Sequence, residues 1–108
     1  MFSDQRSLRA VDICHWRERF AGVTPIQALA LGESSVCVGV VERIRVAPHE
    51  PVVVTIEDGT GRLTARFTSR MRLHELRLGH GIQLCGTVAE DAASRPVMVE
   101  PAWIAITQ

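Results

Sequence analysis

The chain has 108 residues, of which 46% are hydrophobic and 22% are charged, and its twelve basic and twelve acidic residues give a formal net charge of zero. This composition is typical of one globular domain and excludes wholesale disorder. The balanced charge argues against strong, indiscriminate binding to nucleic acid, which usually shows as a basic excess. All twelve basic residues are arginine, which we attribute to a GC-rich coding bias, although arginine also suits phosphate contacts.

The apolar runs of the sequence are all shorter than the roughly 18–20 residues that a membrane span needs. The N-terminal residues are polar and lack the apolar stretch of a secretory signal. The three cysteines, Cys14, Cys37 and Cys85, are odd in number and far apart, as is common in a reducing compartment. We therefore expect a cytoplasmic protein without a membrane segment.

Residues 3–20 carry the pattern of an amphipathic helix. Ser3 is a suitable N-cap, Trp16 and Phe20 recur at helical spacing, and a glycine and a proline follow. We predict that residues 1–23 pack on the rest of the domain, because large aromatic side chains are costly to expose. The alternative is a helix that binds a partner.

Residues 24–108 alternate between apolar and polar side chains and predict five strands. The first strand covers residues 35–46, and three valines are assigned to one inner face: Val36, Val38 and Val40. Gly39 is predicted to mark a bulge or bend. After it, Ile44 and Val46 continue the inner face, and Arg43 and Arg45 are directed outward.

The second and third strands form a predicted hairpin over residues 52–67. Asp58 and Gly59 supply the tight reversal, because glycine readily takes the positive φ that such a turn needs. After the turn, apolar residues alternate with polar or basic ones. The inward side chains are Leu63, Ala65 and Phe67, and the outward ones are Arg62, Thr64 and Arg66.

A short helical element is predicted within residues 69–78, between the third and fourth strands. The fourth strand covers residues 81–90, again with a central glycine, and the fifth covers residues 96–106. Glycine kinks in two strands of a small β-sheet favour closure into a compact barrel. The sequence therefore predicts an all-β barrel preceded by a helix.

Three segments, residues 31–41, 56–67 and 78–88, resemble the OB-fold. They contain a G-x-V first strand, a D-G-T-G-x-L hairpin and a fourth strand that ends in G-x-V. More narrowly, the chain resembles small stand-alone actinobacterial OB-fold proteins that bind nucleic acid, which are related to anticodon-type and helicase-wedge OB domains. The resemblance covers roughly residues 24–107 and implies a five-stranded Greek-key barrel.

In OB-folds the outer face of the second and third strands, with neighbouring loops, forms the usual binding groove. Guanidinium groups on such a face can bind phosphates or stack on bases. The resemblance therefore implies binding of single-stranded or distorted nucleic acid, DNA or RNA, in repair, recombination or replication. The residues implied as nucleic-acid-binding are Arg43, Arg45, Thr55, Arg62, Thr64, Arg66 and Arg95, and the loop residue His49 lies beside them.

Two features of this face predict weak, salt-sensitive binding with little sequence preference. Exposed aromatic side chains usually provide the stacking platforms for single strands, but the chain has no tyrosine and Phe67 is assigned to the inner face. Trp103 is either a stacking platform or a residue that closes the barrel bottom. Glu57 lies among the arginines and would repel phosphate.

The sequence offers no catalytic constellation, and we expect neither an enzyme nor a bound cofactor or metal. No serine or cysteine has a suitable base beside it in sequence, and no pair of cysteines or histidines has zinc-binding spacing. Asp58 is interpreted as a turn residue, and the cysteines are interpreted as buried free thiols.

A second hypothesis is a protein-interaction module. The zero net charge and the lack of exposed aromatics on the barrel favour it. Such a module would dock on a larger partner through the barrel or through the helix that carries Trp16 and Phe20. A homodimer formed by strand or helix pairing is compatible with both hypotheses.

Overall fold

The computed structural model describes residues 12–68 and 73–106. A helix, α1, includes residues 12–17, and two single 3-10 turns cover Ile26–Ala28 and Leu73–Glu75. The strands are β1 Ser34–Arg45, β2 Val52–Glu57, β3 Arg62–Phe67, β4 Gly81–Thr87, β5 Ala89–Glu90, β6 Pro96–Val99 and β7 Ala102–Ile106. The predicted helix over residues 3–20 and the predicted element over residues 69–78 lie partly outside the described residues. Among residues 12–68 and 73–106, none of the helical segments has the length and hydrophobicity of a membrane span.

All seven strands belong to one sheet with the order β5-β6-β3-β2-β1-β4-β7. Neighbouring strands run antiparallel except β3 and β6, which run parallel. The first part of β1 pairs with β4, and its last part pairs with β2. The prediction of an all-β fold is therefore confirmed.

The prediction of a closed five-stranded barrel is wrong in strand number and in closure. The predicted fourth strand is divided at Val88, whose backbone N–H and C=O bond to Glu33 and Gly32 ahead of β1. The predicted fifth strand is divided at Glu100 and Pro101, because Glu100 has a φ of 52° and proline cannot donate a ladder hydrogen bond. The sheet is open, because β5 and β7 are its two edge strands. Short chain connections join β4 to β5 and β6 to β7.

The predicted inner face of β1 is also wrong in its first half. Cys37 and Val41 lie in the core, so the three valines assigned to that face, Val36, Val38 and Val40, lie on the opposite side of the strand. The phase changes at a bulge between Val41 and Arg43, not at Gly39. This bulge places Arg43 outward and packs Ile44 against the core as predicted, whereas Val46 is 60% exposed.

The described part of α1 packs across the outer face where β1 meets β4. A Cβ atom built on Gly81 would lie 2.6 Å from Cζ2 of Trp16, so the indole ring sits directly on this glycine. The Trp16 and Phe20 rings meet edge to face with their centroids 4.9 Å apart. Because residues 1–11 are not described, the packing of the whole 1–23 segment stays a prediction.

A Gly81→Val variant is expected to displace the Trp16 ring and release α1 from the sheet, because the new side chain would occupy the position of the indole. The measurement is the tryptophan fluorescence spectrum in dilute buffer, whose emission maximum should shift to the red. The same substitution in a Trp16→Phe background should give no shift, since Trp103 is then the remaining fluorophore. An unchanged emission maximum in the Gly81→Val protein would contradict the packing of the ring on this glycine.

Candidate nucleic-acid interface

Asp58 organises the turn between β2 and β3. Its side chain is fully buried, and its Oδ1 accepts hydrogen bonds from the Thr60 N–H at 2.8 Å and the Thr60 hydroxyl at 2.6 Å. The Gly61 N–H donates to the same oxygen at 3.2 Å. The prediction of a turn residue therefore agrees with the structure, but the carboxylate also makes contacts far from this turn.

The second oxygen of Asp58 connects the hairpin turn to two N-terminal segments. Oδ2 accepts the Ile26 N–H at 2.8 Å and lies 3.6 Å from Nε of Arg17 on α1. A further bond joins the Gln27 N–H to the Thr60 hydroxyl at 3.2 Å. One buried carboxylate thus holds three segments together: the β2–β3 turn, the 3-10 turn at Ile26–Ala28 and α1. The β2–β3 turn borders the candidate site. Sequence reasoning missed this role, since all its partners outside the turn are distant in sequence.

The predicted polar residues lie on the outer face of β1, β2 and β3 in two cross-strand rows. In the first row Arg43 faces Thr55, which faces Thr64. In the second row Arg45 faces Val53, which faces Arg66. Directly opposite residues on neighbouring strands have adjacent side chains, so each row forms a continuous strip across the sheet.

The first row forms the floor of a groove of about 640 Å³. Arg62 on β3 and Arg95, which precedes β6, extend this groove beyond the floor. The groove lining therefore includes five of the seven predicted residues: Arg43, Thr55, Arg62, Thr64 and Arg95. The structure brings residues from distant parts of the sequence together on one concave surface, which the parallel pairing of β3 with β6 makes possible.

Arg45 and Arg66 lie on the same face but do not line this groove. Both side chains are exposed, and Val99, opposite Arg66 on β6, is 60% exposed. The second row is therefore an open strip with apolar positions between and beside the two guanidinium groups. His49 is farther away, in the β1–β2 loop, where it has a φ of 62° and lines a separate depression.

Acidic side chains are part of the groove. Nε of Arg62 lies 2.7 Å from Oε1 of Glu42, and both Glu42 and Glu57 line the groove beside the arginines. Glu42 occupies the β1 bulge, a position that sequence reasoning missed although Glu42 and Arg43 are consecutive polar residues in an otherwise alternating strand. Within the described ranges, no carboxylate lies within ion-pair distance of Arg43.

Arg95 also has an acidic partner. Its Nε lies 3.2 Å from Oδ2 of Asp91 in the same loop. The backbone N–H of Arg95, with that of Ala93 and the Arg95 guanidinium, holds the pKa of Asp91 below its ordinary value. Arg95 is 75% exposed and Arg62 is 58% exposed, and exposed pairs of this kind contribute little free energy. Each arginine also has terminal nitrogens that can donate to a ligand.

Two aromatic residues of the sheet, Phe67 and Trp103, pack toward the core. Phe67 is buried as predicted, and the half-buried Trp103 packs against the same core. Their rings meet edge to face with centroids 6.4 Å apart. Of the two alternatives for Trp103, the structure therefore favours closure of the core over a stacking platform.

The three cysteines differ in exposure and none forms a disulfide. Cys37 is buried as predicted, and burial, followed by the nearby charges of Asp58 and Cys85, raises its pKa to about 12. The prediction of a buried thiol is wrong for Cys85, because this residue lies on the outward phase of β4. Within residues 12–68 and 73–106, no group of three histidine, cysteine or acidic residues could hold a metal ion.

Solved structures resemble this chain over most of its length. A replication protein A heterotrimer bound to single-stranded DNA has a TM-score of 0.59 at 20% identity, over 82% of this chain and 69% of that chain. A replication factor A related protein from Methanobacterium thermoautotrophicum has a TM-score of 0.62 at 20% identity, over 78% and 90%. The protein OBody AM1L10, bound to hen egg-white lysozyme, has a TM-score of 0.62 at 14% identity, over 82% and 97%.

No protein-family model matches the chain, and no curated protein matches it. The structural neighbours include OB-fold nucleic-acid-binding proteins. The chain therefore has an OB-fold, as the resemblance in its sequence implied, with the strand divisions described above. At 20% identity or less, this likeness establishes the fold alone.

Proposed function

We propose that this chain is a non-catalytic, cytoplasmic OB-fold protein that binds single-stranded or distorted nucleic acid. The observation that carries the proposal is the convergence of Arg43, Arg62 and Arg95 on one groove with a threonine floor. Guanidinium groups neutralise phosphates, and threonine hydroxyls can donate to phosphate oxygens. A neighbour of similar fold is bound to single-stranded DNA, which makes DNA the favoured ligand and repair, recombination or replication the favoured setting.

The bound strand would continue from this groove onto the open strip of Arg45 and Arg66. The two rows lie two residues apart along β1, which corresponds to about 6.6 Å at the usual strand rise. Guanidinium groups in successive rows could therefore contact successive parts of one phosphodiester backbone. Because such contacts read charge and not base identity, they confer little sequence preference.

The acidic residues of the groove limit the expected affinity. A phosphate that approaches Arg62 must share this guanidinium with Glu42 or displace the carboxylate, and Glu57 repels it further. Binding is therefore expected to be weak and to decline steeply as salt rises.

An Arg43→Glu/Arg62→Glu variant is expected to lose roughly 10- to 100-fold in affinity at low salt, because two charge-assisted phosphate contacts become repulsive. The measurement is fluorescence anisotropy with labelled single-stranded DNA over a salt series. The slope of log K against log salt should fall by about 2. Unlabelled RNA and duplex DNA as competitors would identify the preferred nucleic acid.

The matched control is Arg19→Glu/Arg77→Glu, which makes the same change in net charge at two exposed arginines outside the groove. This variant should lose much less affinity. Equal losses in the two variants would show a non-specific charge effect, and the absence of salt-dependent binding by the unmodified protein would contradict the proposal.

A protein-interaction module is the second candidate function. Both signs of charge in the groove suit a protein surface, and a neighbour with a similar fold is bound to lysozyme. Heparin chromatography distinguishes the candidates, because a phosphate-binding face should be retained and eluted by salt. Lack of retention, together with co-purification of a stoichiometric protein partner, would favour the second candidate.

A further inference from the structure

We propose, building on the proposed function, that a pocket with aliphatic and polar lining beside the arginine groove takes one nucleobase of the bound strand. This pocket has a volume of about 380 Å³, which lies within the usual range for small-ligand sites. It lies beside the arginine groove and has its own lining residues apart from a shared edge. It is formed between the segment that precedes β1 and the β5–β6 region.

The pocket and the groove are continuous. Gly61, Arg62 and Pro96 line both concavities, so Arg62 stands at their shared rim. A phosphate held by Arg62 on the groove side would bring the attached nucleoside to the mouth of the pocket. A nucleotide combines an anionic group with a planar ring whose faces are apolar, and this combination matches the two adjoining surfaces.

Both aliphatic and polar side chains line the pocket. Leu29, Leu31, Val88 and Pro96 provide aliphatic surface, and the Leu31 side chain is 60% exposed. An exposed leucine beside other apolar groups gains free energy when a flat ring covers it. The polar residues that line the pocket can form hydrogen bonds to a base edge: Gln27, Arg62, Glu90 and Ser94.

Backbone hydrogen bonds hold the pocket walls together before any ligand binds. The Gly32 N–H donates to the Val88 carbonyl at 2.8 Å, and the Val88 N–H donates to the Glu33 carbonyl at 2.9 Å. On the other side, the Gln27 N–H donates to the Thr60 hydroxyl. A Cβ on Gly61 would lie 3.2 Å from Cγ2 of Ile26, so glycine permits this close approach. Binding would therefore require little ordering of the backbone.

The pocket also accounts for how a base could bind without an exposed aromatic platform. Phe67 and Trp103 pack with the core and not on the outer face of β2 and β3. The apolar side chains that line the pocket beside the arginine groove are aliphatic. Leu31 and its neighbours form an aliphatic surface that adjoins a phosphate-binding arginine.

The test compares a labelled single-stranded oligonucleotide with an abasic deoxyribose-phosphate chain of the same length, by anisotropy at low salt. The unmodified protein should bind the oligonucleotide roughly 5-fold more tightly, the lower end of the range for one base stacked on an aromatic ring, because the pocket offers aliphatic contact instead. A Leu31→Ser variant should lose most of this difference while its affinity for the abasic chain stays unchanged. The control is Leu78→Ser, since Leu78 is 62% exposed and lies outside the pocket.

A measurement on the unmodified protein keeps the test decisive if a variant fails to fold. Photocrosslinking with oligonucleotides that carry a diazirine on a base, whose carbene inserts into aliphatic C–H bonds, followed by peptide mapping, should label residues 26–31 or 88–96. Crosslinks confined to β2 and β3, or equal affinity for the normal and abasic chains, would overturn the pocket while leaving phosphate binding intact. Absence of binding to either chain would overturn the proposed function as well.

Discussion

An Asp58→Ala variant is expected to lose about 3–5 kcal/mol of unfolding free energy, the usual result of removing one partner from a buried ion pair. The substitution leaves the Ile26 and Thr60 N–H groups without their acceptor and leaves Arg17, whose side chain is 12% exposed, without its counter-charge. Nε of Arg17 already lacks a hydrogen bond, so the carboxylate is its electrostatic partner. The measurement is urea unfolding followed by circular dichroism.

Asp91→Ala is a matched control for this prediction. Asp91 also accepts turn hydrogen bonds, from the Ala93 N–H at 2.8 Å and the Arg95 N–H at 3.0 Å, but these bonds are exposed to solvent. Water can replace an exposed acceptor, so the loss should be much smaller than for Asp58. Similar urea midpoints for Asp58→Ala and Asp91→Ala would contradict the buried network around Asp58.

A Leu63→Ala variant is expected to lose about 2–5 kcal/mol, because it removes a fully buried side chain from the centre of the core and leaves a cavity. Leu63 faces Ile56 across the hairpin, and both side chains have no exposed surface. The urea midpoint should fall while the slope with denaturant stays the same. The loss should appear in both thermal and chemical unfolding.

Leu78→Ala makes the same chemical change at an exposed position. Leu78 is 62% exposed, and surface substitutions of this kind usually change stability by less than about 0.5 kcal/mol. Equal losses at the two positions would contradict the inner face assigned to β3. The same pair of variants also tests whether the outward phase of Arg62 and Thr64 is correct, since alternate residues of a strand have opposite directions.

Local sequence pattern was sufficient to predict the β2–β3 hairpin. Asp58 and Gly59 define a turn, and strict alternation on both sides assigns Leu63 inward and Arg62 outward. Alternation failed in β1 because both faces of its first half are covered, so the apolar pattern there does not distinguish core from outer face. Trp16 lies over Gly81, which pairs with Val40 of β1, and this distant contact is not encoded in the strand itself.

The candidate site was predictable in part for similar reasons. The alternation of side chains along the strands identified Arg43, Arg62, Thr55 and Thr64 as outward residues. The fold resemblance added Arg95 from a distant loop. Sequence reasoning missed Glu42, because a bulge breaks the alternation that would otherwise assign its direction. The split at Val88 and the buried role of Asp58 depend on hydrogen bonds to segments that precede β1, which no local pattern could reveal.

The division of β1 between two partners has a consequence for how the molecule loses its structure. Its first residues are joined to β4 and its last residues to β2, so the same backbone segment belongs to both halves of the sheet. If either half of the sheet separated, β1 would lose hydrogen bonds, and the other half needs β1 as well. Unfolding is therefore expected to be all-or-none, without a stable half-sheet fragment.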